Sequence, residues 1–165
     1  PLNIAVMTVS DTRTEETDKS GNTLVKLLTE AGHALANKQI VPDNIYRIRA
    51  VVSQWIADSN INAVITTGGT GITGRDTTPE AVAALFDKQI DGFGELFRAV
   101  SYEEINTSTM QSRAVGGVAN ATFIFCLPGS TGACRTGWGK IISHQLDYRT
   151  RPCNLVELMP RVLEK

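Results

Sequence analysis

Three near-continuous apolar runs, Leu2 to Val9, Ala63 to Thr67 and Ala121 to Leu127, limit the folds open to this 165-residue chain more than any other feature. A strand that is apolar on both faces must be buried on both, which places it inside a parallel sheet covered by helices. The segments between the runs have helical period. Leu24, Leu27, Leu28 and Ala31 recur at i, i+3, i+4 and i+7 before Gly32, and Ile48, Val51, Val52, Trp55 and Ile56 share one side. A shorter strand is predicted near Leu35 to Val41, and a helix from Pro79 to about Lys88 with Thr78 as N-cap. A turn at Gly92-Phe93-Gly94 leads into a shorter helical region ending near Tyr102, and a last helix runs from Ala133 to about Gln145. Alternating strands and helices predict an α/β fold, a mostly parallel sheet with helices on both faces. With 42% hydrophobic residues the length suits one domain over 1–165, residues 147–165 forming a C-terminal tail without clear periodicity.

In such a sheet ligands bind beyond the carboxyl ends of the strands. The chemically unusual residues fall there: Ser10-Asp11 after the first strand, Asp43 after the second, Gly68 to Asp76 after the third, and Pro128 to Thr131 after the last. In Thr66-Thr67-Gly68-Gly69-Thr70-Gly71-Ile72-Thr73-Gly74-Arg75-Asp76, glycines let the backbone approach an anion and threonines add hydroxyl donors. The following helix start is expected to aim N–H groups at the same point. Asp76 repels phosphate unless a cation lies between, so the loop points to Mg²⁺ as well as phosphate. The plainer alternative is a tight turn whose glycines serve geometry alone. Gly69, Gly71 and Gly74 fit the dinucleotide pattern G-x-G-x-x-G in form only. The helix starts after them, and no strand ends in an acid about 20 residues on. Arg75 and Asp76 stand where a Walker loop needs Lys and Ser/Thr. A nucleotide-dependent oxidoreductase is therefore disfavoured.

Sixteen basic and 17 acidic residues give a net charge of −1, which supplies no general field for nucleic acid or an anionic membrane. No apolar run approaches the roughly 18 residues of a spanning helix, and no signal-like segment opens the chain, so a cytoplasmic location is expected. Cys126, Cys134 and Cys153 form no C-x-x-C pair and read as ordinary thiols, while His33 and His144 read as structural.

Thr66-Thr67-Gly68-Gly69-Thr70-Gly71, Arg75-Asp76, Thr78-Pro79-Glu80, Gly92-Phe93-Gly94-Glu95, Ser112-Arg113 and Leu127-Pro128-Gly129 together resemble the molybdenum-cofactor biosynthesis family MoaB/MogA over essentially the whole chain. Thr150-Arg151-Pro152-Cys153-Asn154 is similar to its MoaB branch. The resemblance implies a three-layer α/β/α molybdopterin-binding domain, assembled as a homotrimer or homohexamer. It implies transfer of AMP from Mg²⁺-ATP to molybdopterin with release of pyrophosphate; a catalytically silent carrier or scaffold of the same fold is the alternative. Carried over residue by residue, Asp43 and Asp76 are the catalytic, Mg²⁺-holding acids. Gly68, Gly69, Thr70 and Gly71 take the molybdopterin phosphate. Ser10, Asp11, Glu80, Ser112, Arg113, Pro128, Gly129 and Ser130 line the pocket.

Overall fold

A computed structural model describes residues 1–165. The elements run β1 (Asn3–Val9), α1 (Lys19–Glu30), β2 (Ala34–Val41), α2 (Ile45–Ala57), β3 (Ala63–Thr67), α3 (Thr78–Ala83), β4 (Lys88–Gln89), α4 (Asp91–Ile105), β5 (Val115–Ala119), β6 (Thr122–Leu127) and α5 (Thr131–Gly137). The six strands form one sheet in the order β2-β1-β3-β6-β5-β4. β2, β1, β3 and β6 are parallel, and β5 runs against both β6 and β4. The strand order turns back between β1 and β3, so the crevice at their carboxyl ends is where ligand loops diverge.

The period-2 alternation of a strand distributes each apolar run over two cores. Ile4 and Val6, Ala63 and Ile65, and Phe123, Phe125 and Leu127 face a cluster with Leu24 and Leu28 of α1, Phe93 and Phe97 of α4, and Cys134 of α5. Ala5 and Met7, Val64, Ile124 and Cys126 face the other, with Ile48, Val52 and Trp55 of α2 and Ala81 and Val82 of α3. Helices thus cover both faces, as expected.

Helix ends are fixed by short polar side chains. Asp18 accepts the Gly21 N–H at 3.0 Å at the start of α1, Asn44 accepts from Tyr46 and Arg47 at the start of α2, and Ser130 accepts from Ala133 at the start of α5. Asp18 is wholly buried, and its second oxygen takes the Thr8 hydroxyl at 2.8 Å and the Lys38 ammonium at 3.0 Å. The loop carrying Ser10 and Asp11 is therefore anchored to β1 and β2 at the point where it enters α1.

The structure departs from expectation in several places. α3 begins at Thr78, with Thr77 at the N-cap making no side-chain cap bond, and it stops at Ala83 because Lys88–Gln89 turns to pair with β5. α4 runs straight through Gly92 and Gly94 to Ile105. Gly94 is required by proximity: a Cβ there would lie 2.5 Å from the Ala114 carbonyl oxygen. The last helix starts at Thr131 and widens into a π-helical stretch (Trp138–Ile142) before its final turn, α6 (Ser143–Gln145). The tail forms a short α7 (Leu155–Leu158), and Leu155, Met159 and Val162 pack against the first core.

Phe125 is 2% exposed and its ring lies 5.0 Å from that of Phe93, which fastens α4 to the central sheet. Phe125→Ala is expected to lower unfolding free energy by about 3–5 kcal/mol, the range for a phenyl ring removed from a packed core, read from urea denaturation.

Candidate functional site

The ends of β1, β3 and β6 meet backbone to backbone. Gly68, at φ +102°, donates its N–H to the Leu127 carbonyl at 3.0 Å; a Cβ on Gly68 would collide with the Val9 carbonyl oxygen, and one on Gly129 would lie 3.3 Å from the Gly68 Cα. Gly69 is also left-handed, at φ +70°, and a Cβ there would run into the Thr78 hydroxyl. Beyond Gly68, the N–H groups of Gly69, Thr70 and Gly71 donate to no protein acceptor. These three residues line a cavity of about 410 Å³.

One wall of this cavity is the glycine loop with Asp76, and its floor is Pro128, Gly129, Ser130 and Ala133. The opposite wall comes from α4 and the 3₁₀ segment after it (Asn106–Gln111): Phe97, Ser101, Ile105, Ser108 and Gln111, then Ser112. Sequence reasoning missed all of that wall except Ser112. The available signal was the i, i+4, i+8 spacing of Phe97, Ser101 and Ile105 on one helix face. Larger hollows of about 560 and 550 Å³ exist elsewhere, among Asn3, Gln39 and Asn60 and among His33, His144 and Asp147. Neither gathers the loops that follow the parallel strands, so the smaller cavity is the one with convergent chemistry.

Asp43, Asp11, Ser10, Glu80 and Arg113 do not line that cavity, contrary to the expectation for the last four. Asp43 stands behind Gly69, its Oδ1 3.0 Å from where a Gly69 Cβ would be, and this oxygen is buried without a hydrogen-bond partner. Asp11 Oδ1 accepts the Asp43 backbone N–H at 3.0 Å, and its Oδ2 pairs with Arg75, whose Nε lies 3.1 Å away. Ser10 turns back to accept the N–H groups of Thr12 and Arg13. Asp76 Oδ2 accepts the Thr73 N–H at 3.0 Å and hydroxyl at 2.8 Å. Asp76 thus belongs to the cavity and also acts electrostatically on Asp43.

Charge follows from this placement. Burial raises the Asp43 carboxyl above its ordinary range, the Asp11 and Asp76 carboxylates push the same way, and Arg75 opposes them. The Asp11 carboxyl is lowered by its hydrogen bond from Arg75 and then by the Asp43 N–H. Glu80 is lowered by Arg113, to which it is ion-paired. Arg113 is turned toward the protein: its N–H reaches the Thr70 carbonyl at 3.0 Å, Nε the Gly71 carbonyl at 2.7 Å and Nη2 the Asp76 carbonyl at 2.9 Å. Its guanidinium is a brace for the loop, and Glu80 is the brace's counter-ion.

The unpartnered Asp43 oxygen and the Asp76 carboxylate, which acts on it electrostatically, are hard-oxygen donors of the kind a divalent cation takes together with phosphate oxygens. No group of three or more His, Cys, Asp or Glu side chains closes an all-protein metal cage. The thiols stand apart from this chemistry. Burial pushes Cys126 to about 12 and Cys134 to about 11, and Cys134 donates to the Thr67 hydroxyl at 3.3 Å. His33 accepts the Leu2 N–H at 3.1 Å and meets Trp138 edge-on. No helix is long and apolar enough to cross a membrane.

Residues 5–148 match the family described as a probable molybdopterin binding domain. The molybdenum cofactor biosynthesis protein B of Escherichia coli K12 is 58% identical over 154 residues, covering 93% of this chain and 91% of that protein. A solved structure of a molybdenum cofactor biosynthesis protein B superposes with a TM-score of 0.90 at 45% identity, over 97% of this chain and 96% of that one. The tungsten cofactor synthesizing protein MoaB from Pyrococcus furiosus superposes with a TM-score of 0.77 at 38% identity, over 87% and 91%.

The raised Asp43 carboxyl has a consequence for the ligand-free protein. A carboxyl whose folded-state pKa exceeds the ordinary 3.8 contributes stability that is present below that value and lost as pH rises through the folded pKa. Asp43→Asn removes the ionisation. The variant should therefore melt at the same temperature as wild type below about pH 3.8 and above it at pH 7, the gap opening between the two. Thermal melts across that range, without divalent cations, check the sign.

Proposed function

The chain belongs to the MoaB/MogA molybdenum-cofactor biosynthesis family, and on that premise we propose that it binds molybdopterin and transfers AMP from ATP to the terminal phosphate of that ligand. The observation that carries the proposal is the run of three N–H groups at Gly69, Thr70 and Gly71, unpartnered, on residues that line a cavity together with the Asp76 carboxylate. Such a run is a site for a phosphate dianion. The hydroxyl- and amide-bearing wall of Ser101, Ser108 and Gln111 suits a polar ring system with many hydrogen-bonding edges.

In the reaction a phosphate oxygen of molybdopterin attacks the α-phosphorus of ATP, the bond to the β-phosphate oxygen breaks, and pyrophosphate leaves. No protein nucleophile is required, so the residues position and screen two polyanions. The glycine loop holds the attacking phosphate from the cavity side, leaving its outer oxygen toward Asp76. Asp43 and Asp11 lie on the far side of Gly69, where the triphosphate would approach, and Asp76 lines the cavity while acting electrostatically on Asp43. Mg²⁺, held by Asp43 and Asp76, would supply charge neutralisation for the phosphates when bound. Arg75 supplies the cationic side chain at the same rim.

Asp43→Asn and Asp76→Asn are each expected to slow single-turnover adenylylation roughly 100- to 1000-fold, the scale of losing one electrostatic element of a transition state, while changing molybdopterin affinity far less. Gly69→Val should do the reverse, blocking backbone approach and weakening molybdopterin binding. Wild-type rates in both asparagine variants would remove the metal-holding assignment. Binding without any adenylylated product, assayed by chromatography after incubation with molybdopterin, ATP and Mg²⁺, would make the chain a carrier instead.

We also propose a homohexamer, or failing that a homotrimer, in the cytoplasm. Leu96, Tyr102, Ile105 and Met110 stand exposed on and just after α4, with Met110 80% exposed, which gives apolar surface for a neighbouring copy. Light scattering should return a multiple of 17.8 kDa, and a mass equal to it at micromolar concentration rejects the assembly.

A further inference from the structure

The direction in which the loop's N–H groups point has a cause in residues behind it. A trans peptide is planar, with C=O and N–H on opposite sides, so fixing a carbonyl also fixes the N–H of the next residue. Four successive carbonyls of the loop are captured from behind. The Gly68 oxygen accepts the Thr78 hydroxyl at 2.9 Å, and the Gly69 oxygen accepts the Thr78 N–H at 3.0 Å. The Thr70 oxygen accepts the Arg113 N–H at 3.0 Å, and the Gly71 oxygen accepts the Arg113 Nε at 2.7 Å. The paired N–H groups are those of Gly69, Thr70, Gly71 and Ile72, and none of the four donates to the protein.

We propose that Thr78 and Arg113 are positioning residues that set the polarity of the phosphate-binding loop, Arg113 acting through the backbone and not through its charge on the ligand. This rests on the molybdopterin reading of the cavity. Arg113 has spent Nε on the Gly71 carbonyl, Nη2 on the Asp76 carbonyl and Nη1 on the Glu80 carboxylate, which leaves its fork facing the loop. Thr78 is fully buried and never meets the ligand, yet it holds two of the four carbonyls. Without these bonds, Gly68 and Gly69 have no side chain to resist rotation of their peptide planes, and a flipped plane turns a carbonyl dipole toward the phosphate.

The test separates geometry from charge. Arg113→Lys keeps the positive charge and loses the planar fork; Thr78→Val keeps the shape and loses the hydroxyl, while Thr78→Ser restores it. Molybdopterin affinity is measured for each variant by titration, with inorganic phosphate as competitor and thermal melts to confirm folding. The expected result is a loss of roughly tenfold or more in Arg113→Lys and Thr78→Val, the scale of a misdirected charge-assisted hydrogen bond, with Thr78→Ser near wild type. Inorganic phosphate should compete well against wild type and poorly against the two weakened proteins. Wild-type affinity in Arg113→Lys, or in Thr78→Val, overturns the proposal and leaves the molybdopterin reading standing. If Arg113→Lys fails to fold, the Thr78 pair decides alone: equal affinity in Val and Ser overturns it. A wild type that does not bind molybdopterin overturns both.

Discussion

The closeness of the backbone at Gly68 governs the rest of the site. Parallel strands β1, β3 and β6 end at one level, and the chain leaving β3 has to pass between the Val9 carbonyl and the Gly129 backbone with no room for a side chain. Glycine in a left-handed conformation is the residue that meets this condition. The turn it makes places the next three residues with their N–H groups along the cavity and sends the chain back to Thr78, whose hydroxyl and N–H lock the turn from behind. The cavity, the reach of Asp76 and the start of α3 all follow from that one passage.

Electrostatics divides the site into two halves. On the cavity side the groups are neutral dipoles, N–H, hydroxyl and amide, apart from the single Asp76 carboxylate. On the other side Asp11 and Asp43 stand together, with Arg75 on Asp11 as their nearest positive charge. An exposed ion pair of this kind contributes little to stability. Its effect is to moderate repulsion that burial would otherwise make costly at Asp43. One half of the site therefore offers mainly fixed dipoles and the other a field that favours cations.

Much of this was legible in the sequence, for reasons that also explain the gaps. Ile4 to Val9, Ala63 to Thr67 and Thr122 to Leu127 are apolar on both faces because they lie mid-sheet, and α1 and α2 carry clear periodic stripes. β5 was not legible because its sequence, Val115-Gly116-Gly117-Val118-Ala119, lacks the side chains that mark a strand. The rings of Phe93 and Phe86 occupy that space, and a Cβ at Gly116 would lie 2.9 Å from Phe93 Cδ1. The glycine loop stood out through composition alone. The direction of Arg113 and Glu80 did not, since an arginine donating to backbone carbonyls looks the same in sequence as one facing a ligand. Ser101, Ser108 and Gln111 carry no motif that would mark them, and only the fold brings them opposite the glycine loop.

The reversed strand gives the pocket a modular boundary. Because β5 runs against β6, the chain enters it at the end where the parallel strands leave, with Val115 opposite Cys126 and Ala119 opposite Thr122. A segment that precedes a strand is thereby delivered to the same place as loops that follow strands. The Asn106–Gln111 part of the wall is fastened on either side, by α4 before it and by Arg113 after it. The outer wall of the cavity and the glycine loop facing it are thus separate pieces of chain, brought to one hollow by the reversed strand.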